Sequence, residues 1–371
     1  MIPTKAVIQT LEEGSRLGSK AATIYSAGFG EGDDTQGKER GQALKELCNR
    51  TGMVCCGPNC MGSFSVTEGL WSFPTAIPLL RPGPVGLIFQ SGGSLGNWVK
   101  GASERGIGFS YAVSSGNEIS LDLVDYLSFL VKDPETKVIL LMIEGIRRPK
   151  EFMAVAAEAL AKNKPILVVK LGRSERGKRQ AISHTGALAG SDEVFDAVCH
   201  RLGLIRCPTL EDLTETALAF MPGRYPRGRR VAIVVNSGGM KGLLLDHIEE
   251  VGVDLAQLSD ATQKAIRPLI PAELAVENPL DLLGIHGELP RYPEKREATL
   301  FTTLAATTEK PVIAFARSTY SLTDESRTFQ DQAGIPFLQG IKATLRALKG
   351  LGFYATCKQN GFAVSVTVVG R

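Results

Sequence analysis

The chain has 371 residues, 43% hydrophobic and 22% charged, with a formal net charge of +3. These are the proportions of an ordinary soluble globular protein of two or three domains. They imply no strong pull toward nucleic acid or a membrane. The basic clusters "RRPK" (147–150), "GRSERGKR" (172–179) and "GRYPRGRR" (223–230) are short and lack interleaved aromatics, so they read as solvated loops.

The N-terminal "MIPTKAVIQTLEEGSR" has no basic-then-apolar leader pattern, and no apolar run reaches bilayer length. The seven cysteines are odd in number and show no Cys-x-x-Cys spacing. They read as buried thiols in a reducing compartment, so a cytoplasmic protein without metal is expected. The four histidines are scattered with no ligand spacing.

Taken in chain order, β-rich apolar runs alternate with helical patterns, which predicts parallel sheets covered by helices. "AATIYSAGF" (21–29) is a strand entering a small-residue loop, "KERGQALKELCNRTG" (38–52) a helix ending at Gly52, and "MVCCGPNCMG" (53–62) a short strand and turn. This first unit, 1–78, resembles the tail of a Rossmann-like domain. The Pro/Gly-rich "LLRPGP" (79–84) predicts a boundary.

The second unit, 84–222, opens with strand "VGLIFQ" (85–90), then Ser-Gly-Gly, then helix "SLGNWVKGASERG" (94–106). Strands "FSYAVS" (109–114), "KVILLMIEG" (137–145) and "KPILVVKLG" (164–172) alternate with helices at 120–133 and 149–162, the pattern of a flavodoxin-like doubly wound sheet. A helix over "RCPTLEDLTETALAF" (206–220) has Thr209 as cap with Asp212 three residues on. After the linker "MPGRYPRGRR", residues 231–256 repeat 85–110: strand, Ser-Gly-Gly, helix, glycine, strand. The third unit, 229–371, is therefore read as a second, shortened flavodoxin-like domain.

The repeated Ser91-Gly92-Gly93 and Ser237-Gly238-Gly239 each follow a strand and open a helix. Such a turn either serves the backbone alone or lets an anion approach free N–H groups at the positive end of the helix dipole. The turn Ser115-Gly116-Asn117 and the carboxylate of Glu144 also fall at strand ends, where open α/β sheets bind ligands. Glu144 is either paired with Arg147 or Arg148 or aimed at a reacting group. His184 sits in "SHTGALAG" (183–190) among very small side chains. It has no metal-ligand companions and no Gly-x-Ser-x-Gly nucleophile nearby. A solvent-loop histidine or a nucleophile forming a covalent intermediate are the readings left.

"SHTGALAG", "GPNCMG" (57–62), "IYSAGFGE" (24–31), "FQSGGSLG" (89–96) and "LMIEGIRRPKEF" (141–152) together resemble the ADP-forming acyl-CoA synthetases, relatives of the succinyl-CoA synthetase α subunit. The resemblance implies a CoA-binding Rossmann-like domain followed by two flavodoxin-like domains, and an acid–thiol ligase. Acyl-CoA, phosphate and ADP would interconvert with carboxylic acid, CoA and ATP through acyl phosphate and a phosphohistidine. It implies His184 as the phosphorylated nucleophile and Glu144 as its supporting carboxylate. The two Ser-Gly-Gly helix starts and Ser115, Gly116 and Asn117 would hold phosphate. Ala27, Gly28, Phe29, Pro58, Asn59 and Cys60 would form the CoA edge. Mg-ADP or Mg-ATP would be bound mainly by a separate ATP-grasp partner, and the assembly would be an oligomer.

The chain departs from the family pattern in three ways. It starts inside the CoA domain, its third domain looks short after "NPLDLLGIHG" (278–287), and it shows no ATP-grasp sequence. Two rivals follow: a catalytically degenerate CoA-binding or scaffolding paralogue, and an FMN-binding protein, which the loops' lack of stacking aromatics disfavours.

Overall fold

Six consecutive apolar side chains, Val138–Ile143, are all buried. A strand buries both faces only where helices cover both sides of its sheet, which is the setting of parallel strands. The computed structural model describes residues 2–32, 34–179, 191–235, 237–282, 303, 305–316, 330–331 and 334–360. The chain divides into two compact units, Met1–Leu213 and Thr214–Asn360.

The first unit begins with helix α1 (Val7–Arg16), strand β1 (Ala21–Thr23), helix α2 (Thr35–Thr51) and strand β2 (Val54–Cys56). The Asp34 side chain caps α2 through the Gln36 amide, and Gly52 ends it at φ 70°. β1 and β2 pair in parallel, over a core of Val7, Ile24, Phe29, Leu44, Leu47 and Cys55.

β3 (Gly62–Ser65) and β4 (Leu70–Trp71) follow, then β5 (Pro82–Phe89), helix α3 (Gly92–Glu104), β6 (Phe109–Ser114), α4 (Leu123–Lys132), β7 (Val138–Ile143), α5 (Pro149–Ala161), β8 (Ile166–Lys170), α6 (Asp192–Leu202), β9 (Ile205–Arg206) and α7 (Leu210–Phe220). The expected strand–helix alternation is present. The seven-stranded sheet has the order β4-β3-β6-β5-β7-β8-β9. From β6 to β9 all pairs are parallel. Counted from β5, the parallel strands run 2-1-3-4-5, the flavodoxin-like order, whose switch point lies between β5 and β7. Ile88, Ile139, Leu141 and Val168 meet Leu127, Phe152 and Phe195 on one face. On the other, Trp98 packs against Phe89 and Phe109.

The boundary expected at 79–84 lies inside this first unit. β3 adds antiparallel to β6, pairing Gly62 with Ser114 through Ser65 with Tyr111, and β4 adds to β3. Apolar Phe64, fully buried and stacked on Trp71, makes the pairing favourable by closing the sheet's edge. A run as short as "GSFS" carries no period by which its partner could be read.

Asp122 illustrates how the helices are held. Its carboxylate accepts the Val124 amide at 2.8 Å, and Asp125 returns the bond to the Asp122 amide at 3.0 Å. Arg148 clamps it with Nε and Nη2 at 2.7 and 2.6 Å. Burial works to raise this carboxyl, but the Arg148 bonds and the Val124 amide outweigh it and hold it below its ordinary 3.8. Asp122→Ala is expected to destabilise the first unit by about 1–3 kcal/mol, as loss of an N-cap and of a charged hydrogen bond. A depressed carboxylate stabilises above its unfolded pKa and loses this as pH falls through the folded value. The wild-type advantage in urea titrations should therefore be constant from pH 7 to about 5 and shrink below about 4. An advantage undiminished at pH 3 would contradict the assignment.

The second unit is described by itself. β10 (Val234–Val235) pairs in parallel with β11 (Leu280–Asp281), and β12 (Ala314–Ala316) with β13 (Phe337–Gln339). Helix α8 (Gly238–Val251) follows β10 directly, α9 spans Asp260–Ile266, and α10 (Ile341–Gln359) closes the unit. Ile233, Val235, Leu244, Ile248, Ile341 and Leu345 form its core. The repeated strand, Ser-Gly-Gly and helix thus recur as β5–α3 and β10–α8.

Candidate functional site

The carboxyl ends of β5, β6 and β7 meet at one edge of the large sheet. Gln90 directly follows β5 and joins it to β7. Its amide N–H donates to the Met142 carbonyl at 3.0 Å. Its side-chain oxygen accepts from the Glu144 and Gly145 amides, and Nε2 donates to the Gly145 carbonyl at 2.9 Å. The switch point is therefore bridged, with Ser91 on one side and Glu144 on the other.

Ser91 is the N-cap of α3, but its hydroxyl faces Ser94 Oγ at 3.0 Å rather than a backbone amide. Gly92 is pressed against its surroundings, since a Cβ there would lie 2.5 Å from Met61 Cγ. Gly93 is exposed, with open space where a side chain would stand. The first turn of α3 thus keeps its amides uncapped by Ser91, the condition for anion binding. Ser237, in the second unit, does cap its helix, with Oγ accepting the Met240 amide at 3.5 Å. The carboxylate of Asp281 stands close to Gly238, 3.4 Å from where its Cβ would be. Gly239 has open space.

The turn after β6 is packed tightly. Ser115 is fully buried and donates to Glu118 Oε1 at 2.8 Å. Gly116 adopts φ 61°. The Asn117 amide donates to the Pro58 carbonyl at 2.9 Å, and Asn59 Nδ2 donates to Asn117 Oδ1 at 3.3 Å. Asn59 in turn donates its amide to Ser26 O at 3.0 Å, and Cys60 Sγ faces Ile24 O at 3.3 Å. The residues expected at the CoA edge are thus bonded to the expected phosphate turn. Thr4 holds the Ala27 carbonyl at 3.2 Å. Both Gly28 and Phe29 amides donate to Glu31 Oε2 at 2.8 Å, while Asn117 Nδ2 donates to Glu31 Oε1. His184 lies outside the described residues.

Glu144 is buried, its carbonyl accepting from Lys170 Nζ at 3.0 Å. Burial lowers the Lys170 ammonium below its ordinary value. Arg147 turns to the Asn117 carbonyl at 2.8 Å and toward Glu118, and Arg148 to Asp122 and Asp125. Burial pushes the Glu118 carboxyl from 4.5 up to about 7, against the pull of Gln90, Ser115 and Arg147.

Sequence reasoning passed over Gln90, Glu118, Glu31 and Lys170. Glu118 directly follows the Ser115-Gly116-Asn117 turn, but nothing local marks it as buried. Its positive φ of 55° is the one signal of a tight turn, and that too is a structural property. Among the described residues no cluster of His, Cys, Asp and Glu could hold a metal, and no helix is long and apolar enough to cross a membrane.

Residues 82–220 match the succinyl-CoA ligase like flavodoxin domain. The chain is 38% identical over 284 residues to the α subunit of ADP-forming acetate–CoA ligase II from Pyrococcus furiosus, covering 76% of this chain and 61% of that protein. Over residues 82–220 the chain carries a domain of the succinyl-CoA ligase like flavodoxin family, and over most of its length it is similar to ADP-forming acyl-CoA synthetases. Another relative is ADP-forming acetate–CoA ligase I from Archaeoglobus fulgidus, 31% identical over 376 residues, or 96% of this chain and 54% of that protein. The chain spans 40% to 61% of the length of the curated synthetases it matches. A solved structure of dinucleotide-forming acetyl-coenzyme A synthetase 1 from Ca. Korarchaeum cryptofilum, in complex with phosphate and ADP, aligns at TM-score 0.84 and 25% identity. That alignment covers 96% of this chain and 82% of the other.

Proposed function

We propose that the chain is the α-type part of an ADP-forming acyl-CoA synthetase. The observation that carries this is the bridged switch point, where Gln90 sets the uncapped start of α3 and the Glu144 loop on the two sides of one crevice. In this reading phosphate displaces CoA from acyl-CoA to give acyl phosphate. A ring nitrogen of His184 then attacks phosphorus, and the P–O bond to the acyl group breaks, releasing the carboxylate. Glu144 accepts from the other ring nitrogen and fixes the tautomer. The N-terminus of α3 faces the developing phosphoryl charge, where a dipole and free amides are most effective.

The edge formed by residues 26–31 and 57–61 is the proposed seat of CoA, with the region to Pro78 as its domain. Ser237, Gly238 and Gly239 open the matching helix of the second unit and receive the same group in a second site. An ATP-grasp partner carries ADP or ATP with magnesium and takes the phosphoryl group from the histidine. A reducing, cytoplasmic setting fits, since no disulfide links any of the seven cysteines. The test is direct. The protein incubated with acetyl phosphate labelled on phosphorus should gain acid-labile, base-stable label, and an ATP-grasp partner with Mg-ADP should discharge it as ATP. A protein that takes up no such label under any condition would overturn the reading.

A further inference from the structure

Glu118 is a buried carboxyl that the proposed reaction leaves without a task. It is 5% exposed, in a left-handed backbone conformation, at the end of the turn that follows β6. Oε1 accepts from Ser115 Oγ at 2.8 Å and from Gln90 Nε2 at 3.0 Å, while Arg147 Nε stands 3.9 Å from Oε2. Two donors on one oxygen and a guanidinium facing the other is the arrangement that an ionised carboxylate favours. Gln90 carries this contact onward, because the same side chain holds the Glu144 and Gly145 amides and immediately precedes Ser91.

We infer that Glu118 is a positioning residue of the proposed reaction: through Gln90 and Ser115 it holds the Glu144 loop, the start of α3 and the Ser-Gly-Asn turn in one geometry. The inference rests on the proposed function. It concerns a residue that touches none of the reacting atoms assigned above and acts through Gln90. A buried amide has two orientations, and Gln90 needs its oxygen toward Glu144 N and its nitrogen toward Gly145 O. An acceptor at Glu118 selects that orientation. When Glu118 takes up a proton, Arg147 faces a neutral group and the charge that fixes the pair is gone.

The charged and titratable groups around Glu118 are few. Arg147 favours its ionised form and Asp122, itself held by Arg148, opposes it. Cys56 and Tyr126 feel its charge from β2 and α4, and Cys60 adjoins Cys56. With the carboxyl pushed up to about 7, the ionised fraction changes between pH 6 and 8. A raised carboxyl contributes stability below its unfolded pKa and loses it as pH rises through the folded value. The geometry that positions Gln90 is thus held at a cost to stability above neutrality.

The experiment is the rate of phosphate uptake from labelled acetyl phosphate by wild type and Glu118→Gln from pH 6 to 8. The ratio of the two rates cancels titration of the donor, which both assays share. That ratio should rise about tenfold across the range, the change in ionised fraction of a group titrating near 7. Urea titrations should show Glu118→Gln gaining on wild type as pH rises from 5 to 8. Gln90→Ala cuts the link while leaving the carboxylate, and should lose the same component of the pH profile. A wild-type to Glu118→Gln ratio constant from pH 6 to 8, or a Gln90→Ala profile like that of wild type, overturns the inference alone. Wild type unlabelled at every pH would instead remove the proposed function, and this role with it.

Discussion

His184→Ala is expected to abolish acid-labile labelling, down to background, without change in folding. The argument is chemical. A phosphoramidate needs an imidazole nitrogen, and alanine offers no nucleophile. The neighbours of His184 include Ser183 and Thr185, whose hydroxyls would give acid-stable phosphate esters, and otherwise Gly186, Ala187 and Ala189, so no adjacent side chain can replace the ring in acid-labile labelling. Two other histidines serve as internal controls. His200 stands 3.6 Å from Asp196 on α6, and His247 3.2 Å from Glu250 on α8. Each is partnered on its own helix, so His200→Ala and His247→Ala should label as wild type does. Mass spectrometry of the phosphopeptide would locate the modification. Label that survives in His184→Ala and disappears in one of the other two would move the nucleophile and with it the whole reaction scheme.

Gly116→Ala should be the most damaging of the small substitutions in the first unit. Gly116 has φ 61°, where a Cβ strains the backbone. A Cβ there would lie 2.2 Å from the Pro58 carbonyl oxygen and 2.7 Å from that of Asn59. Those are backbone atoms, held by the Asn117 amide and by Ser26, and they cannot swing aside. The left-handed conformation costs about 1–3 kcal/mol for a non-glycine residue. Overpacking adds about 1–3 kcal/mol more. The sum, several kcal/mol, is a large share of the stability of any domain. Gly101→Ala is the control, since Gly101 is exposed on α3 with open space around it, and there alanine should stabilise by about 0.5–1 kcal/mol. Thermal unfolding of the two variants measures both. Gly116→Ala melting within a degree of wild type would show that the turn is looser than this packing requires.

The same turn shows how far the site could be read in advance. Ser115-Gly116-Asn117 reads as a glycine turn at a strand end, and the turn is there. What it touches was not readable. The Pro58 carbonyl is 58 residues before Gly116 in the chain, and the bond between these segments arises because β3 pairs with β6. Glu118 carries no local mark of burial, since a glutamate in a loop is ordinarily solvated. Only tertiary burial takes it out of water and pushes its carboxyl up to about 7, against the pull of Gln90, Ser115 and Arg147. Arg147 and Arg148 were both possible partners of Glu144, and the fold directs one to Glu118 and the other to Asp122.

The sequence by itself determined the elements and their order. Apolar runs such as "VILLMI", helical periods and glycine stops are local properties, written within a few residues of where they act. The repeat of strand, Ser-Gly-Gly and helix was likewise open to inspection, as were the motifs of the acyl-CoA synthetase family. Tertiary structure alone decided the strand order, the addition of β3 and β4 to the large sheet, and the Gln90–Glu118 pair across its switch point. Those depend on which distant surfaces exclude water together, and on the low-dielectric environment that follows. Neither is a property of any short stretch of chain.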